Sequence, residues 1–351
     1  MRGAWESSEE VVDPATMRCS QADLQVQAGS GRLRRLGSAL AVWTRARRFF
    51  AADSSAAPSM TAATGGEMEA GARLKQPFLS GLAEGEARSS RQELVSQLRL
   101  WLDRQPHLPQ LTDDHLILFL HSRYDNVEKT KQAIESYCTL KTLTPEIFSN
   151  RDVLGKDIQD MVDICEIVML PAATAEGYRV LMFRFTDYSA SKYFLVPSLK
   201  GFCMSCDFHI SENGLLPGVV AVFDMKGLSI FHIFRIHPFS MVKKILHYLQ
   251  DCLPVRVKSI HLINAIFLAG KLLALIKPFL KKELAEMIHV HSSVEGLREF
   301  LPLDILPSEY GGQTESMTRL YDEQKYKFET EYGEWFRQGE DVRSDESKRL
   351  K

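Results

Sequence analysis

The sequence has almost no excess of charge of either sign. Its 43 lysine and arginine residues are balanced by 45 acidic residues, for a formal net charge of -2. A domain that binds nucleic acid generally carries a clear excess of basic residues, so we do not expect nucleic acid among the partners. Any charge that serves a function must therefore be concentrated locally.

Long uninterrupted hydrophobic runs are also lacking. The most apolar stretch, residues 260–280, contains Asn264, Lys271 and Lys277, and Pro278 limits its continuation as one helix. A transmembrane helix needs about 20 predominantly apolar residues. We therefore expect no membrane-spanning helix and only peripheral contact with membranes.

The usual signatures of catalytic sites are missing from the sequence. There is no Gly-x-Ser-x-Gly elbow, no glycine-rich phosphate loop followed by Lys-Ser/Thr, and no His-Glu-x-x-His. Cys203 and Cys206 have redox or zinc spacing without a second ligand pair, and His289 and His291 alternate along a predicted strand. We interpret both pairs as structural, and we expect no catalytic residue, no metal and no cofactor.

The N-terminal sequence and the number of cysteines indicate the compartment. No secretory signal is evident, and six cysteines in 351 residues indicate a reducing, cytoplasmic environment. Residues 1–85 are predicted to be a disordered extension, because apolar periodicity is absent up to about residue 75. Within it, residues 32–48 hold six arginines and no acid. An amphipathic targeting helix fits them, but we favour a basic disordered tail or a misplaced gene start ahead of Met60.

Helical periodicity starts at Ser90. Ser90 and Glu93 have the spacing of a capping box, Thr112 is suited to cap a second helix, and a third is predicted from about Val127 until Pro145. These three helices predict a small helical domain over residues 88–150.

From Tyr178 onward, strand and helix alternate. Strands are predicted at residues 179–185, 219–223, 259–264 and 288–291, with helices near 197–210, 238–253 and 266–287 between them. The apolar run 219–223 is typical of a strand buried on both faces, in the middle of a mixed or parallel sheet. The pattern predicts an α/β fold.

Five motifs follow one another along the chain: FLHSRYD at 119–125, VFDMKGL at 222–228, SIHLIN at 259–264, IKPFL at 276–280 and LPSEYGG at 306–312. With them, residues 94–312 resemble the CRAL-TRIO lipid-binding family, and within it the group of α-tocopherol transfer, retinaldehyde-binding and clavesin proteins. The resemblance implies a helical N-terminal domain, then an α/β domain at 160–315 whose mixed sheet floors a hydrophobic cavity under a helical lid. Residues 316–351 are expected to be a charged, partly helical segment.

The lid and the cavity can be assigned to particular residues. As one helix, residues 266–280 would be apolar nearly all round, which requires burial or contact with lipid. The predicted lid residues are Phe267, Leu268, Leu272, Leu275, Ile276 and Phe279. Alternation along the strands predicts a cavity lined by Leu181, Phe183, Phe185, Phe223 and Leu262.

Basic residues are concentrated between residues 226 and 282, where ten lysines and arginines accompany a single acid, Asp251. Such a face suits an anionic membrane. The resemblance implies a site for phosphoinositide headgroups at Arg123 and Arg256, with Lys258 adjacent and Lys281 and Lys282 contributing. Glu283 and Met287 stand where the family's closest members have basic residues, so we expect weaker or less selective headgroup binding.

Two functions follow from these expectations. The favoured one is a non-enzymatic carrier, expected to be monomeric and cytoplasmic. It would bind one hydrophobic lipid, such as a tocopherol, retinoid or carotenoid, and transfer it at phosphoinositide-containing membranes. The alternative is a membrane-trafficking adaptor that senses phosphoinositides on endosomal membranes, with an exchangeable or structural lipid in the cavity.

Overall fold

The computed structural model describes residues 89–265 and 268–350. The expectations for residues 1–85, including the arginine-rich segment 32–48, lie outside these ranges. Among the described residues, no helix is both long and apolar enough to cross a bilayer.

The described chain starts with five helices. These are α1 (Gln92–Leu102), α2 (Asp113–Ser122), α3 (Val127–Leu143), α4 (Pro145–Phe148) and α5 (Lys156–Val162). The first three pack around a common apolar core that includes Leu98, Leu116, Leu120 and Ile134. The apolar periodicity of the sequence thus corresponds to a buried side of each of these helices.

Helix α2 starts with the cap that the sequence predicts. The Thr112 hydroxyl accepts a hydrogen bond from the His115 N–H at 3.3 Å, and His115 Nδ1 accepts one from the Thr112 N–H at 3.3 Å. Burial, with Lys141 and Arg99 nearby, lowers the pKa of His115 to about 4, which keeps Nδ1 an acceptor at neutral pH.

The predicted capping box at Ser90 is wrong. Helix α1 starts one residue later than that box requires, with Arg91 as the N-cap residue. The Arg91 guanidinium lies 2.6 Å from the Asp125 carboxylate. The residue at the start of the helix thus contacts a residue distant in sequence, which a local motif cannot reveal.

The centre of the fold is a five-stranded mixed sheet in the order β1-β2-β3-β4-β5. Its strands are β1 (Cys165–Ala173), β2 (Arg179–Phe185), β3 (Val219–Asp224), β4 (Val257–Ile263) and β5 (Ile288–Val290). β1 and β2 are antiparallel, and the other neighbours are parallel. The α/β architecture with a mixed sheet is confirmed.

The helices between the strands are α6 (Leu195–Asn213), α7 (Ile230–Phe234), α8 (Phe239–His247), α9 (Leu268–Ile276) and α10 (Lys282–Glu286). A π-helical turn at Tyr248–Cys252 extends α8. After the sheet come short 3₁₀ turns and the helices α11 (Met317–Glu331) and α12 (Gly333–Gln338).

Strand β1 was not anticipated, because its start does not read as an apolar strand. Glu166 lies opposite Arg184 in the antiparallel register, and the carboxylate accepts a hydrogen bond from Arg184 Nε at 2.7 Å. Glu166 is buried, so this cross-strand ion pair replaces the apolar contact that the sequence pattern lacks.

The segment after α12 returns to the helices at the start of the described chain. The Asp345 N–H donates to the His107 carbonyl at 2.7 Å, and the Thr142 hydroxyl donates to the Ser344 carbonyl at 2.8 Å. Arg349 pairs with Glu135 on α3. These contacts fasten residues 344–349 to the far N-terminal part of the described structure.

Candidate functional site

The two faces of the central sheet are packed differently. On one face Val180, Met182 and Val222 are fully buried, under a cover that includes Leu297, Leu301 and Leu306. On the other face, Leu181, Phe183, Ala221 and Phe223 are only half-buried, although β2 and β3 are interior strands. Half-buried apolar side chains in the middle of a sheet indicate unfilled space above that face.

A cavity lies on this looser face. The cavity has an enclosed volume of about 90 Å³. The total empty space around it, part of which is open to solvent, is about 890 Å³. The enclosed volume is below the range of roughly 300 to 1,000 Å³ that is usual for small-ligand sites. The register places Leu181, Ala221 and Ile260 side by side across β2, β3 and β4, and all three line the cavity.

Two further segments supply much of the remaining lining, and α2 adds Leu118 and His121. Helix α6 contributes Phe202, Cys206, His209 and Ile210, and the turn before β4 contributes Leu249, Leu253, Pro254 and Val255. Sequence analysis did not assign these residues to the site. For the turn before β4, the apolar residues on either side of Pro254, which directly precede a parallel strand, could have indicated a place in the lining.

The predicted cavity residues divide into two sets. Leu181 and Phe223 line the cavity, whereas Phe183, Phe185 and Leu262 are outside its lining. The Phe185 ring packs 5.5 Å from the ring of His232, and the Phe183 ring lies 5.9 Å from that of Phe223. Leu262 belongs to a cluster with Leu273 of α9. The cavity thus meets the predicted set on one face of the sheet at Leu181 and Phe223 only, and the assignment of a lipid site to these residues stays a prediction.

Arg256 is the charged residue of the cavity lining, and its guanidinium contacts the His121 carbonyl and the Tyr124 ring; the other polar groups there are largely uncharged. Burial lowers the pKa of His209 to about 4, so its ring is neutral at pH 7. Burial also raises the pKa of the Cys206 thiol, which stays protonated. The His121 Nε2 atom is 2.7 Å from the Leu216 carbonyl. Such a cavity suits an apolar molecule with a neutral hydrogen-bonding group.

The predicted lid is not one helix. Helix α9 ends at Ile276, a 3₁₀ turn occupies Lys277–Phe279, and α10 follows. The prediction of a continuous helix over residues 266–280 is therefore wrong, because Pro278 provides no N–H and its ring disrupts the helical turn.

The predicted lid residues lie mostly at the surface of the described structure. Phe267 is outside the described residues. Leu268, Leu272 and Ile276 are half-buried, and Leu275 is 39% exposed. The Phe279 ring packs 5.5 Å from Phe239 on α8. The lining of the cavity includes Leu284 of α10 and no described residue of α9.

Both ends of the segment between β4 and β5 are attached to the sheet. Asn264 adopts a left-handed backbone conformation, with φ of 56°. Its Nδ2 donates to Asp224 Oδ1 at 2.8 Å, and Asp224 Oδ2 accepts from the Tyr310 hydroxyl at 2.9 Å. At the other end, the Met287 carbonyl, directly before β5, accepts a hydrogen bond from the Ile260 N–H at 2.8 Å. The segment that carries α9 is therefore held at two neighbouring points.

Three of the predicted headgroup residues are close to the N-terminal helices. The Arg256 guanidinium lies 4.1 Å from the centre of the Tyr124 ring, and its Nε donates to the His121 carbonyl at 2.6 Å. Lys258 Nζ donates to the Tyr124 hydroxyl at 3.0 Å. Arg123, the residue before Tyr124, donates to the Asp251 carbonyl at 2.8 Å.

Lys281 extends the same group of basic residues, and Lys282 is next to it in sequence. The Lys281 ammonium pairs with the Asp251 carboxylate, and Lys282 lies 3.8 Å from Glu286 with its side chain 84% exposed. We define the basic cluster as Arg123, Arg256, Lys258, Lys281 and Lys282. Tyr124 and Asp251, which connect its members, were not predicted as site residues.

Of the two residue pairs interpreted as structural, the cysteines are buried and the histidines are half-buried. Cys203 and Cys206 are buried free thiols. The ring of His261 stacks on those of His289 and His291, with ring centres 5.1 and 5.2 Å apart. Over the described ranges, no group of three or more His, Cys, Asp or Glu side chains could hold a metal ion.

Comparison with known proteins identifies two regions of this chain. Residues 165–312 match the family model described as the CRAL/TRIO domain, and residues 87–158 match the Pinta-like UBA domain. The mouse protein named alpha-tocopherol transfer protein-like is 31% identical over 210 residues, or 59% of this chain and 60% of that protein. Clavesin-1 of Xenopus laevis is 25% identical over 222 residues, or 62% of this chain and 67% of that protein.

A solved structure is described as the crystal structure of Sfh5. Its alignment covers 72% of this chain and 96% of the chain in that structure. The TM-score is 0.48 and the identity 15%. The chain spans about 60% of the length of the tocopherol-transfer-like relatives that it matches. The matched family model starts at the first strand of the sheet and ends after the LPSEYGG motif, so residues 165–312 of this chain are a CRAL/TRIO domain.

Proposed function

We propose that this protein binds one hydrophobic lipid in the cavity over the sheet and transfers it at membrane surfaces without a covalent step. The observation that carries the proposal is the row of half-buried apolar residues, Leu181, Ala221 and Ile260, facing the cavity from interior strands. The ligand class is a largely apolar lipid with a neutral polar group, such as a tocopherol, a retinoid or a carotenoid.

Loading requires the cavity to expand. A lipid of this class is larger than the enclosed volume of about 90 Å³. Helix α9 is the element suited to move, because it is strongly apolar, only partly buried and joined to the sheet at both ends of its segment. Opening would expose apolar side chains, and a bilayer is the environment that accepts them.

Identifying the lipid that co-purifies with the protein would test this proposal directly. Full-length protein purified from a eukaryotic host and examined by native mass spectrometry should show one added mass per chain, released as an apolar lipid by organic extraction. The same protein stripped of lipid should regain one equivalent from phosphatidylcholine vesicles that contain that lipid. If the protein purifies without lipid and takes up none from such vesicles, the carrier function is excluded.

The basic cluster supports a second part of the proposal, namely that the protein docks on membranes containing phosphoinositides, in the cytoplasm and on endosomal or other intracellular membranes. Its five basic side chains are accompanied by Asp251, Glu283 and Glu286, which leaves an excess of positive charge. A lysine or arginine near an anionic membrane contributes about 1 kcal/mol to binding. Arg123 and Arg256 also hold backbone carbonyls of other segments, so their role in the fold must be separated from their charge.

The double variant Arg123→Ala, Arg256→Ala should bind vesicles containing phosphatidylinositol bisphosphate roughly 30-fold more weakly, since about 2 kcal/mol of attraction is lost. Its uptake of a neutral lipid should be unchanged. The control Arg104→Ala, Arg298→Ala removes the same charge from exposed positions outside the cluster and should bind as the wild type does. Equal loss of vesicle binding and lipid uptake would instead show that the two arginines maintain the fold. Vesicle binding that does not depend on a cavity lipid would favour the adaptor function.

A further inference from the structure

A second, smaller cavity lies between the N-terminal helices, α6 and the segment around α12. It encloses about 40 Å³. A buried water needs a cavity volume of roughly 10–15 Å³, so this cavity has room for a small ion or a few waters. Its polar lining residues are His115, Tyr137, Lys141, Arg151, Asp207 and Trp335.

The charges around this cavity do not balance. Lys141 and Arg151 are 2% and 1% exposed, and Asp207 is the one acid in the lining. Arg151 donates to the Asp207 carboxylate at 2.7 Å, which leaves Lys141 without an acidic partner in the lining. The Lys141 ammonium donates to the Gly339 carbonyl at 2.8 Å and lies 5.1 Å from the centre of the Tyr137 ring.

A neighbouring acid outside the lining is already used. Glu340 accepts a hydrogen bond from the Arg151 backbone N–H at 2.7 Å, and its carboxylate lies 3.6 Å from the Arg343 guanidinium. Burial and the proximity of Arg151 lower the pKa of Lys141 to about 8, so the side chain is still mostly protonated at pH 7. A buried positive charge without a counter-charge is unfavourable.

Two hydrogen-bond donors of the lining residues are also unsatisfied. Arg151 Nε and Trp335 Nε1 are buried and have no hydrogen-bond partner within the described structure. Buried N–H groups nearly always have a partner in native proteins. Both belong to residues that line the same cavity as Lys141, so the cavity combines an excess positive charge with free donors.

We propose that this cavity is a binding site for one small, singly charged anionic group, of the size of chloride or a carboxylate. The group would accept hydrogen bonds from Arg151 Nε, Trp335 Nε1 and the Lys141 ammonium, and it would compensate the charge of Lys141. Because Gly339 and Val342 also line the cavity, the bound anion would help to attach the segment after α12 to α3 and α6.

The anionic group could come from two sources. Leu118, Ile210 and Pro254 line both this cavity and the larger one over the sheet. A free inorganic anion could occupy the site, or the carboxylate of a fatty acid in the larger cavity could reach it between these side chains. The second source depends on the proposed lipid binding, whereas the first does not.

The free-anion source is tested with lipid-stripped, full-length protein. The midpoint of thermal unfolding should be higher in sodium chloride than in sodium gluconate of equal ionic strength, with a saturable dependence on chloride, because gluconate is too large for the cavity. The variant Lys141→Met should lose this difference. The control Lys129→Met removes an exposed lysine from the same helix and should keep it.

The carboxylate source is tested by comparing oleate with oleyl alcohol, which differ at the end group. Wild-type protein should prefer oleate at least tenfold, and Lys141→Met should lose that preference while it still binds the alcohol. Chloride should compete with oleate but not with the alcohol. A chloride effect without a preference for oleate would assign the site to a free anion.

A second variant covers the case in which Lys141→Met does not fold. Trp335→Phe keeps an aromatic ring but removes the Nε1–H, and it should weaken the apparent chloride affinity at least threefold. The proposal is overturned if the wild type shows neither a chloride-specific stabilisation nor a preference for oleate. It is equally overturned if Lys141→Met or Trp335→Phe responds to both ligands as the wild type does.

Discussion

Replacing Ala221 with phenylalanine is expected to prevent lipid loading while leaving the protein folded. Ala221 lies on β3, between Leu181 of β2 and Ile260 of β4, and faces the cavity. A benzyl group there would occupy much of the enclosed volume, so the substitution fills empty space instead of displacing packed side chains. A lipid could then enter only by expelling the ring.

We expect Ala221→Phe to retain less than a tenth of the lipid bound by the wild type, as measured by native mass spectrometry after exchange with vesicles. Ala175→Phe, in the exposed turn between β1 and β2, adds the same group outside the cavity and should load normally. The midpoint of thermal unfolding should stay close to that of the wild type. Normal loading of the Ala221 variant would place the ligand elsewhere.

Asp224→Ala should destabilise the protein by about 3 kcal/mol, because one buried and two partly buried donors would lose their acceptor at once. The carboxylate of Asp224 is buried at the end of β3 and accepts hydrogen bonds from Asn264 and from the Tyr310 hydroxyl. It also accepts one from the Lys226 backbone N–H at 2.9 Å. Asp224 thus joins three segments that follow different strands.

Urea unfolding monitored by circular dichroism would measure this loss. Asp160→Ala is the control, since Asp160 makes an exposed ion pair with Lys156 on α5, and such pairs contribute about 0 to 1 kcal/mol. In addition, the Asp224 variant should exchange lipid faster than the wild type, because Asn264 marks the start of the segment that carries α9. A difference below 1 kcal/mol between the two variants would show that the Asp224 contacts are not important for stability.

Local sequence patterns predicted strands β2 to β5 and missed β1, one of the two edge strands. The apolar run at 219–223 is typical of a central strand, and it lies between β2 and β4. β1 pairs with β2 through Glu166 and Arg184, among other residues. Arg184 lies in the predicted strand β2, but its pairing with a residue 18 positions earlier leaves no signal in a local pattern.

The candidate site was predictable only as far as strand alternation extends. Alternation gives the face on which Leu181 and Phe223 lie, but not the neighbours that fill part of that face. Phe183 and Phe185 are on the predicted side of β2, yet Tyr193 and His232 pack against Phe185 from segments whose position the sequence does not specify. The contribution of α6 to the cavity depends in the same way on tertiary packing.

The contacts of residues 344–349 with the N-terminal helices bear on how the protein folds. Thr142 and Ser344 are 202 positions apart, and the intervening chain includes the whole sheet. Contacts across such a distance close late, because the entropy of forming the loop must be paid before they contribute. During synthesis, helices α1–α3 can therefore form their own core early but must wait for some 200 further residues before their last partners exist. In that interval His107, Thr142 and Glu135 lack these partners, so the helical part completes its contacts only after the sheet has been made.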